Sequence, residues 1–192
     1  AFAGRISLLN DFRETIGAAL KSLGFCLNST DPDELQKAGD VVLRWKKNIA
    51  KFDNEQYKTG IASGEFVLGH GYSGDAAQVM LEDPKNVGFA FPKEGFTAAC
   101  DEMVIPKTAK EPLLAHAFIN FLYDPANAAK NIQFICAAMP NREALASLPE
   151  AYRNNPAILP PQAVLDRAEV LKDLGAFNVL YSRVWDTIKA TE

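Results

Sequence analysis

Asp11 and Glu14 lie three residues apart, where a short apolar stretch, Arg5–Leu9, runs into a helical pattern. That spacing sets both carboxylates away from the helix's apolar stripe. In open α/β sheets ligands bind at the carboxyl ends of strands, which is where this pair falls. D-x-x-E is equally a helix-capping pattern, and the two roles are compatible if one carboxylate caps and the other points outward. Gly71-Tyr72-Ser73-Gly74-Asp75 makes a similar junction between a strand and a helix. It lacks the lysine of a phosphate-binding Walker loop and the spacing of a dinucleotide fingerprint. Its glycines permit a sharp turn that brings Tyr72 to a strand-end crevice, and Ser73 or Asp75 is also a ready helix cap. Asp101 stands in an apolar stretch, where a carboxylate needs exposure, an ion partner or a bound cation.

Other chemistries find less support. Three cysteines, Cys26, Cys100 and Cys136, show no C-x-x-C spacing, and with only His70 and His116 beside them they do not suggest a zinc site. No third group supports a Cys–His nucleophile. His116 falls on the polar side of its helix, and His70 reads as a core or rim histidine. A carboxylate-using hydrolase stays open, with nothing that selects it. No cofactor motif is recognisable.

The elements that must position these residues alternate in period. Phe12, Ile16, Ala19, Leu20 and Leu23 share one face of a helix over 11–23. Asp31-Pro32-Asp33-Glu34 starts a second helix, with Asp31 as cap, proline at the first position and Glu34 closing a capping box. Leu35, Ala38, Val42, Trp45 and Ile49 form its buried stripe. Further helices are expected over 54–63, 75–81, 111–123 and 124–136. A last one carries Phe177, Leu180, Tyr181, Val184, Trp185 and Ile188 on one side. Strands are expected over 5–9, 66–72, 87–91 and 100–105. The alternation implies an α/β layout with a mostly parallel sheet.

With 192 residues, 48% of them hydrophobic and 23% charged, the chain is long enough to bury a sizeable core without a metal or disulfide. A net charge of −4 argues against a basic nucleic-acid-binding domain. No apolar run approaches the ~18 residues of a membrane helix. The first residues, AFAGRISLL, carry neither an initiator Met nor a leader pattern, and read as a processed end or the interior of a longer chain.

Several motifs together resemble the polyamine-binding proteins of ABC importers, the spermidine/putrescine type. They are Leu8-Leu9-Asn10-Asp11-Phe12-Arg13-Glu14-Thr15-Ile16-Gly17, Thr30-Asp31-Pro32, Gly64-Glu65 with Leu68-Gly69, and Phe91-Pro92-Lys93-Glu94-Gly95. Asp101, Ile105-Pro106, Ile119-Asn120-Phe121-Leu122 and Met139-Pro140-Asn141 follow in order and spacing. The resemblance covers essentially the whole chain and only the later part of such a protein. It implies a lobe of the type II periplasmic-binding-protein fold, a mixed, mostly parallel sheet flanked by helices. It implies a binding protein rather than an enzyme, outside the cytoplasmic membrane in the periplasm or on a lipid anchor. Its partners would be a polyamine and the importer's membrane subunits. Asp11 and Glu14 then match one acidic pair, Tyr72 a ring position, Asp75 a carboxylate of putrescine-preferring members, and Asp101 the central amine-binding aspartate. Ala99, Ala137 and Leu171 depart from the pattern, removing two rings and an amide. The resemblance further implies that 1–98 and 145–192 form the second lobe, with crossings near Ala99 and Asn141. Residues 99–144 would belong to a first lobe whose remainder is absent, leaving Leu114, Phe118 and Phe121 in want of a first lobe or a second chain to cover them. Cys100 and Cys136, near the two crossings, are either bridged or two separate thiols.

Overall fold

In the computed structural model, which describes residues 2–191, short strands and longer helices alternate as far as Ala98. β1 (Ile6–Leu8), α1 (Phe12–Ser22), α2 (Pro32–Lys46), β2 (Lys51–Phe52), α3 (Tyr57–Ala62), β3 (Leu68–Gly69), α4 (Ser73–Glu82) and β4 (Phe96–Ala98) come first. α5 (Pro112–Tyr123), α6 (Pro125–Ile135), α7 (Arg142–Ser147), α8 (Glu150–Arg153) and α9 (Gln162–Leu165) follow. β5 (Ala168–Val170) and α10 (Asn178–Ala190) close the chain. These elements form two compact units. One comprises 2–71, 90–99 and 162–191, and the other 72–89 and 100–161.

In the first unit β1 is the central strand of a parallel sheet ordered β2-β1-β3, with Ser7 opposite both Lys51 and Gly69. A second parallel pair joins β4 to β5, Thr97 facing Glu169. The core is helical. Ile16, Ala19 and Leu20 of α1 pack with Leu35, Ala38 and Val42 of α2 and with Tyr181 and Ile188 of α10. The sequence selects this arrangement locally. Asp31 accepts from the Asp33 and Glu34 amides to start α2. Its own amide donates to Ser29 Oγ, and that hydroxyl donates to the Glu34 carboxylate at 2.6 Å. The expected capping box is therefore completed through Ser29. Gly39 lets α2 approach α10, since a Cβ there would stand 2.8 Å from Val184. Lys46 then caps α10 by donating to the Ile188 carbonyl at 2.9 Å and to that of Thr191.

The second unit is helical, with no strand among its described residues. Ala77 of α4, Ala128, Ala129 and Ile132 of α6, Ala144 and Leu148 around α7, and Ala157 and Ile158 share its core. Asp124 ends α5 and caps α6 in one step, accepting from the Ala126 and Asn127 amides. No residue of α5 is buried, and Leu114, Phe118 and Phe121 are 68%, 58% and 58% exposed.

Several expected elements differ. Residues 87–91 and 100–105 form no strand, and pairing within 66–72 is confined to Leu68–Gly69. The strand follows the Pro92–Gly95 turn instead of preceding it. Its partner, β5, lies in a stretch where no strand was expected. Three-residue pairings of this kind leave no alternation to read. The compact units of this chain are drawn along other boundaries than the lobes implied for the whole protein. Residues 72–89 and 145–161 pack with 100–144, because Ala77, Leu148, Ala157 and Ile158 bury themselves against α6. The chain consequently passes between units at four places: after Gly71, Phe89, Ala99 and Pro161.

Candidate functional site

Asp11 and Glu14 both lie at the carboxyl end of β1, and the structure divides their roles. Asp11 Oδ1 accepts from the Arg13 amide at 2.8 Å and the Glu14 amide at 3.1 Å, so Asp11 is the helix cap. Glu14 lies towards β4, near enough for the Thr97 side chain to act on its carboxyl. Partial burial pushes the Glu14 carboxyl above its ordinary range. The Thr97 side chain pulls it down, the neighbouring Asp11 raises it and Arg13 lowers it. A carboxylate left in that position gains from any cation that replaces the lost water.

Arg13, between them in sequence, does not pair with either carboxylate. Its guanidinium donates to the Lys172 carbonyl at 3.2 Å, to Asn178 Oδ1 at 3.2 Å and to Asn28 Oδ1 at 3.0 Å. It also lies 4.8 Å from the centre of the Tyr181 ring. The protein's own cation is thereby held on neutral oxygens and a ring. Tyr181 donates within reach of the Leu27 and Ser29 carbonyls, and burial pushes its hydroxyl up to about 12.

His70 joins this strand-end region from β3. Its amide donates to the Ser7 carbonyl at 2.8 Å, and its Nδ1 is buried with no hydrogen-bond partner. Burial lowers the imidazole's pKa, against an opposing pull from Asp11. Sequence reasoning left out Thr97 and His70. Neither sits in a periodic pattern, and strand order alone brings them to the Asp11–Glu14 region.

The second unit holds Tyr72, Asp75 and Asp101. Tyr72 is the residue before α4, in extended conformation and 46% exposed, and Asp75 is in the first turn of that helix. The N-cap residue of α4 is Tyr72, whose side chain makes no capping hydrogen bond. The start of α4 is pressed against the end of α6. A Cβ on Gly74 would stand 3.0 Å from the Ile135 carbonyl oxygen and 3.8 Å from the Ala137 Cβ. The amide end of one helix thus meets the carbonyl end of another, a favourable alignment of partial charges. Asp101 is exposed on an extended segment that is not part of a strand. Cys26, Cys100 and Cys136 are all free thiols, the last buried behind α6. No cluster of metal-ligating side chains occurs among the described residues.

The structure therefore brings Asp11 and Glu14 together at one strand end, and places Tyr72 and Asp75 on one helix start. The family model described as bacterial extracellular solute-binding protein matches residues 1–161. The chain belongs to that family. A putrescine/cadaverine-binding protein of Pseudomonas aeruginosa is 34% identical over 192 residues, covering 97% of this chain and 54% of the relative. A spermidine/putrescine-binding periplasmic protein of Haemophilus influenzae is 29% identical, covering 100% and 53%. Among solved structures, a spermidine/putrescine ABC transporter protein of Listeria monocytogenes superposes with a TM-score of 0.91 at 33% identity. That match covers 98% of this chain and 58% of the other. A lipoprotein of Treponema pallidum gives 0.79 at 31% identity, covering 97% and 58%. The α/β class expected from the sequence holds. The chain spans about half the length of the curated relatives it matches.

Proposed function

We propose that this chain is the later portion of an extracytoplasmic solute-binding component of an ABC importer, and that its cargo is a polyamine such as putrescine or spermidine. The observation that carries the reading is the Glu14 carboxyl, set at a strand end with its water partly removed and, among the described residues, no lysine or arginine in an ion pair with it. An alkylammonium group supplies what that carboxylate lacks, a charge-assisted hydrogen bond. Names of relatives from two organisms, putrescine/cadaverine-binding and spermidine/putrescine-binding periplasmic, support the same ligand class. They also support a periplasmic or lipid-anchored location and a partnership with importer membrane subunits. No described helix is long and apolar enough to cross a membrane.

In this reading Asp11 and Glu14 are the carboxylates that the first unit offers to an ammonium group, and Asp75 and Asp101 are candidate carboxylates of the second unit taken by itself. Tyr72 offers its ring to methylene groups and to the cation's charge. Residues 1–98 with 145–192 are read as belonging to one lobe of the whole protein, and 99–144 to the other. Calorimetric titration of putrescine and spermidine tests the ligand. Exposed ion pairs contribute at most about 1 kcal/mol each, against the ~8 kcal/mol of micromolar affinity. This chain should therefore bind weakly and in a salt-sensitive way, and a chain extended to the relatives' full length much more tightly. Another amine-bearing solute would appear as binding without response to either polyamine. A carboxylate hydrolase would appear as turnover.

A further inference from the structure

Arg13 joins separate stretches of the first unit at the start of α1. Its Nη1 donates to the Lys172 carbonyl and to Asn178 Oδ1, both at 3.2 Å, and its Nη2 donates to Asn28 Oδ1 at 3.0 Å. Lys172 lies in the chain leaving β5, Asn178 opens α10, and Asn28 stands between α1 and α2. This clamp is itself held from two sides. Asn28 Nδ2 donates to the Val170 carbonyl at 3.0 Å, and Asn28 Oδ1 accepts from the Lys172 amide at 2.9 Å. One side chain thus grips the backbone before and after Leu171. The Tyr181 hydroxyl lies 3.0 Å from the Leu27 carbonyl and 2.8 Å from that of Ser29, gripping the backbone before and after Asn28. The Tyr181 ring also lies against the guanidinium, 4.8 Å from Cζ. Every acceptor on Arg13 is a neutral oxygen. Among the described residues neither Asp11 nor Glu14 forms an ion pair with it. A forked arginine–carboxylate pair is the strong form of such a contact. This chain forgoes it where two carboxylates stand beside the arginine in sequence.

We propose that Arg13 and Asn28 are positioning residues for the Glu14 carboxylate: the clamp fixes the first turn of α1 against the chain leaving β5, so that Glu14 meets an alkylammonium group already ordered. This rests on the polyamine reading above. A carboxylate near the surface gains little from one ion pair, and ordering its turn at the moment of binding would consume that gain. Arginine suits the task because its planar fork engages three acceptors at once, which the single ammonium of a lysine on its flexible stem does not. The neutral acceptors matter as much as the fork. They satisfy the guanidinium without using either acid, so order in the turn is reached with both carboxylates left for a ligand.

The test uses charge-conserving changes in this chain, so that loss of the fork is separated from loss of a positive charge near a cation site. Putrescine dihydrochloride is titrated into wild type, Arg13→Lys, Asn28→Ala, Glu14→Gln and the double variant Arg13→Lys with Glu14→Gln. Affinity is read from amide NMR shifts and stability from urea unfolding. Arg13→Lys and Asn28→Ala should each weaken putrescine about two- to threefold, part of the roughly fivefold that an exposed ion pair at Glu14 can supply. With Glu14→Gln already in place, Arg13→Lys should weaken it no further, while its cost in urea midpoint stays the same in both backgrounds. Asn178→Ala removes one acceptor and leaves the Asn28 grip intact. It should act as Arg13→Lys does in smaller degree, and it serves where Asn28→Ala fails to fold. Equal weakening with and without the Glu14 carboxylate makes the clamp a general support of the fold and overturns the positioning role. Unchanged affinity in both Arg13→Lys and Asn178→Ala overturns that role and leaves the polyamine reading standing. A wild-type chain whose amide shifts ignore putrescine overturns the polyamine reading and the positioning role with it.

Discussion

The Glu14 carboxyl, in the first turn of α1, lies close enough to Thr97 of β4, in a separate sheet, for that side chain to lower its pKa. Partial burial outweighs that pull and holds the acid where ionisation is disfavoured. Its pKa lies above the ordinary value, so folding takes up a proton as the solution is acidified. The stability this group contributes is present at low pH and is lost as pH rises through the raised value. Glu14→Gln should therefore melt at or above the wild-type temperature at pH 7.5, with the difference closing near pH 4. The same change should weaken putrescine binding by about fivefold or less, since an exposed ion pair contributes at most about 1 kcal/mol. Thermal melts at the two pH values read the first effect. A lower melting temperature for the variant at pH 7.5 would contradict it.

Gly71 should not tolerate a side chain. The Tyr57 ring that a Cβ would strike is buried and cannot swing aside. Gly71→Ala should cost about 1–3 kcal/mol in urea unfolding, the range for overpacking. Gly88→Ala, where a Cβ meets nothing within 4 Å, should be neutral within about 0.5 kcal/mol. Equal effects at the two positions would refute the packing argument.

Apolar residues of the second unit should divide sharply by position. Ile132 is fully buried, and Ile132→Ala should cost about 2–5 kcal/mol. Leu113 and Phe118 are 82% and 58% exposed, and replacing either by Asp should change stability by less than about 0.5 kcal/mol. Those two changes should also reduce dye binding to exposed apolar surface and any self-association seen by sedimentation. Loss of folding on Phe118→Asp would show that α5 is buried in solution.

Thiol reactivity should separate the cysteines. Cys26 and Cys100 are exposed, while Cys136 is 2% exposed and its thiol reaches back to the Gln133 carbonyl. A disulfide-exchange reagent should modify two thiols of the native chain quickly and the third only on unfolding. Detection of a Cys100–Cys136 bridge in the non-reduced protein by mass spectrometry would overturn this assignment.

The helices were legible because their boundaries are written in single residues. Asp31-Pro32 starts α2, and Asp124-Pro125 stops one helix and starts the next. Of the strands, β1 and the place of β3 were legible too; β2, β4 and β5 were not, being only two or three residues long. Their pairing depends on partners up to 72 positions apart in register, such as Phe96 with Ala168, and no local pattern encodes that. The acidic pair at Asp11 and Glu14 could be read from spacing. The division of labour between them could not, since it depends on Thr97 arriving from a strand that forms only with β5. His70 was read as a core or rim histidine. Its nearness to Asp11 follows from the β1–β3 register alone.

The four passages of the chain between its two units give the molecule an unusual wiring. Each unit is assembled from non-contiguous pieces, two in one case and three in the other. A single proteolytic cut at any one passage leaves the other three connections intact, so nicked protein should run as two fragments on a denaturing gel yet stay together in native solution. For the same reason no simple truncation isolates the second unit. Obtaining it alone requires a rewired gene in which 72–89 is joined to 100–161 by a new linker in place of Ala90–Ala99.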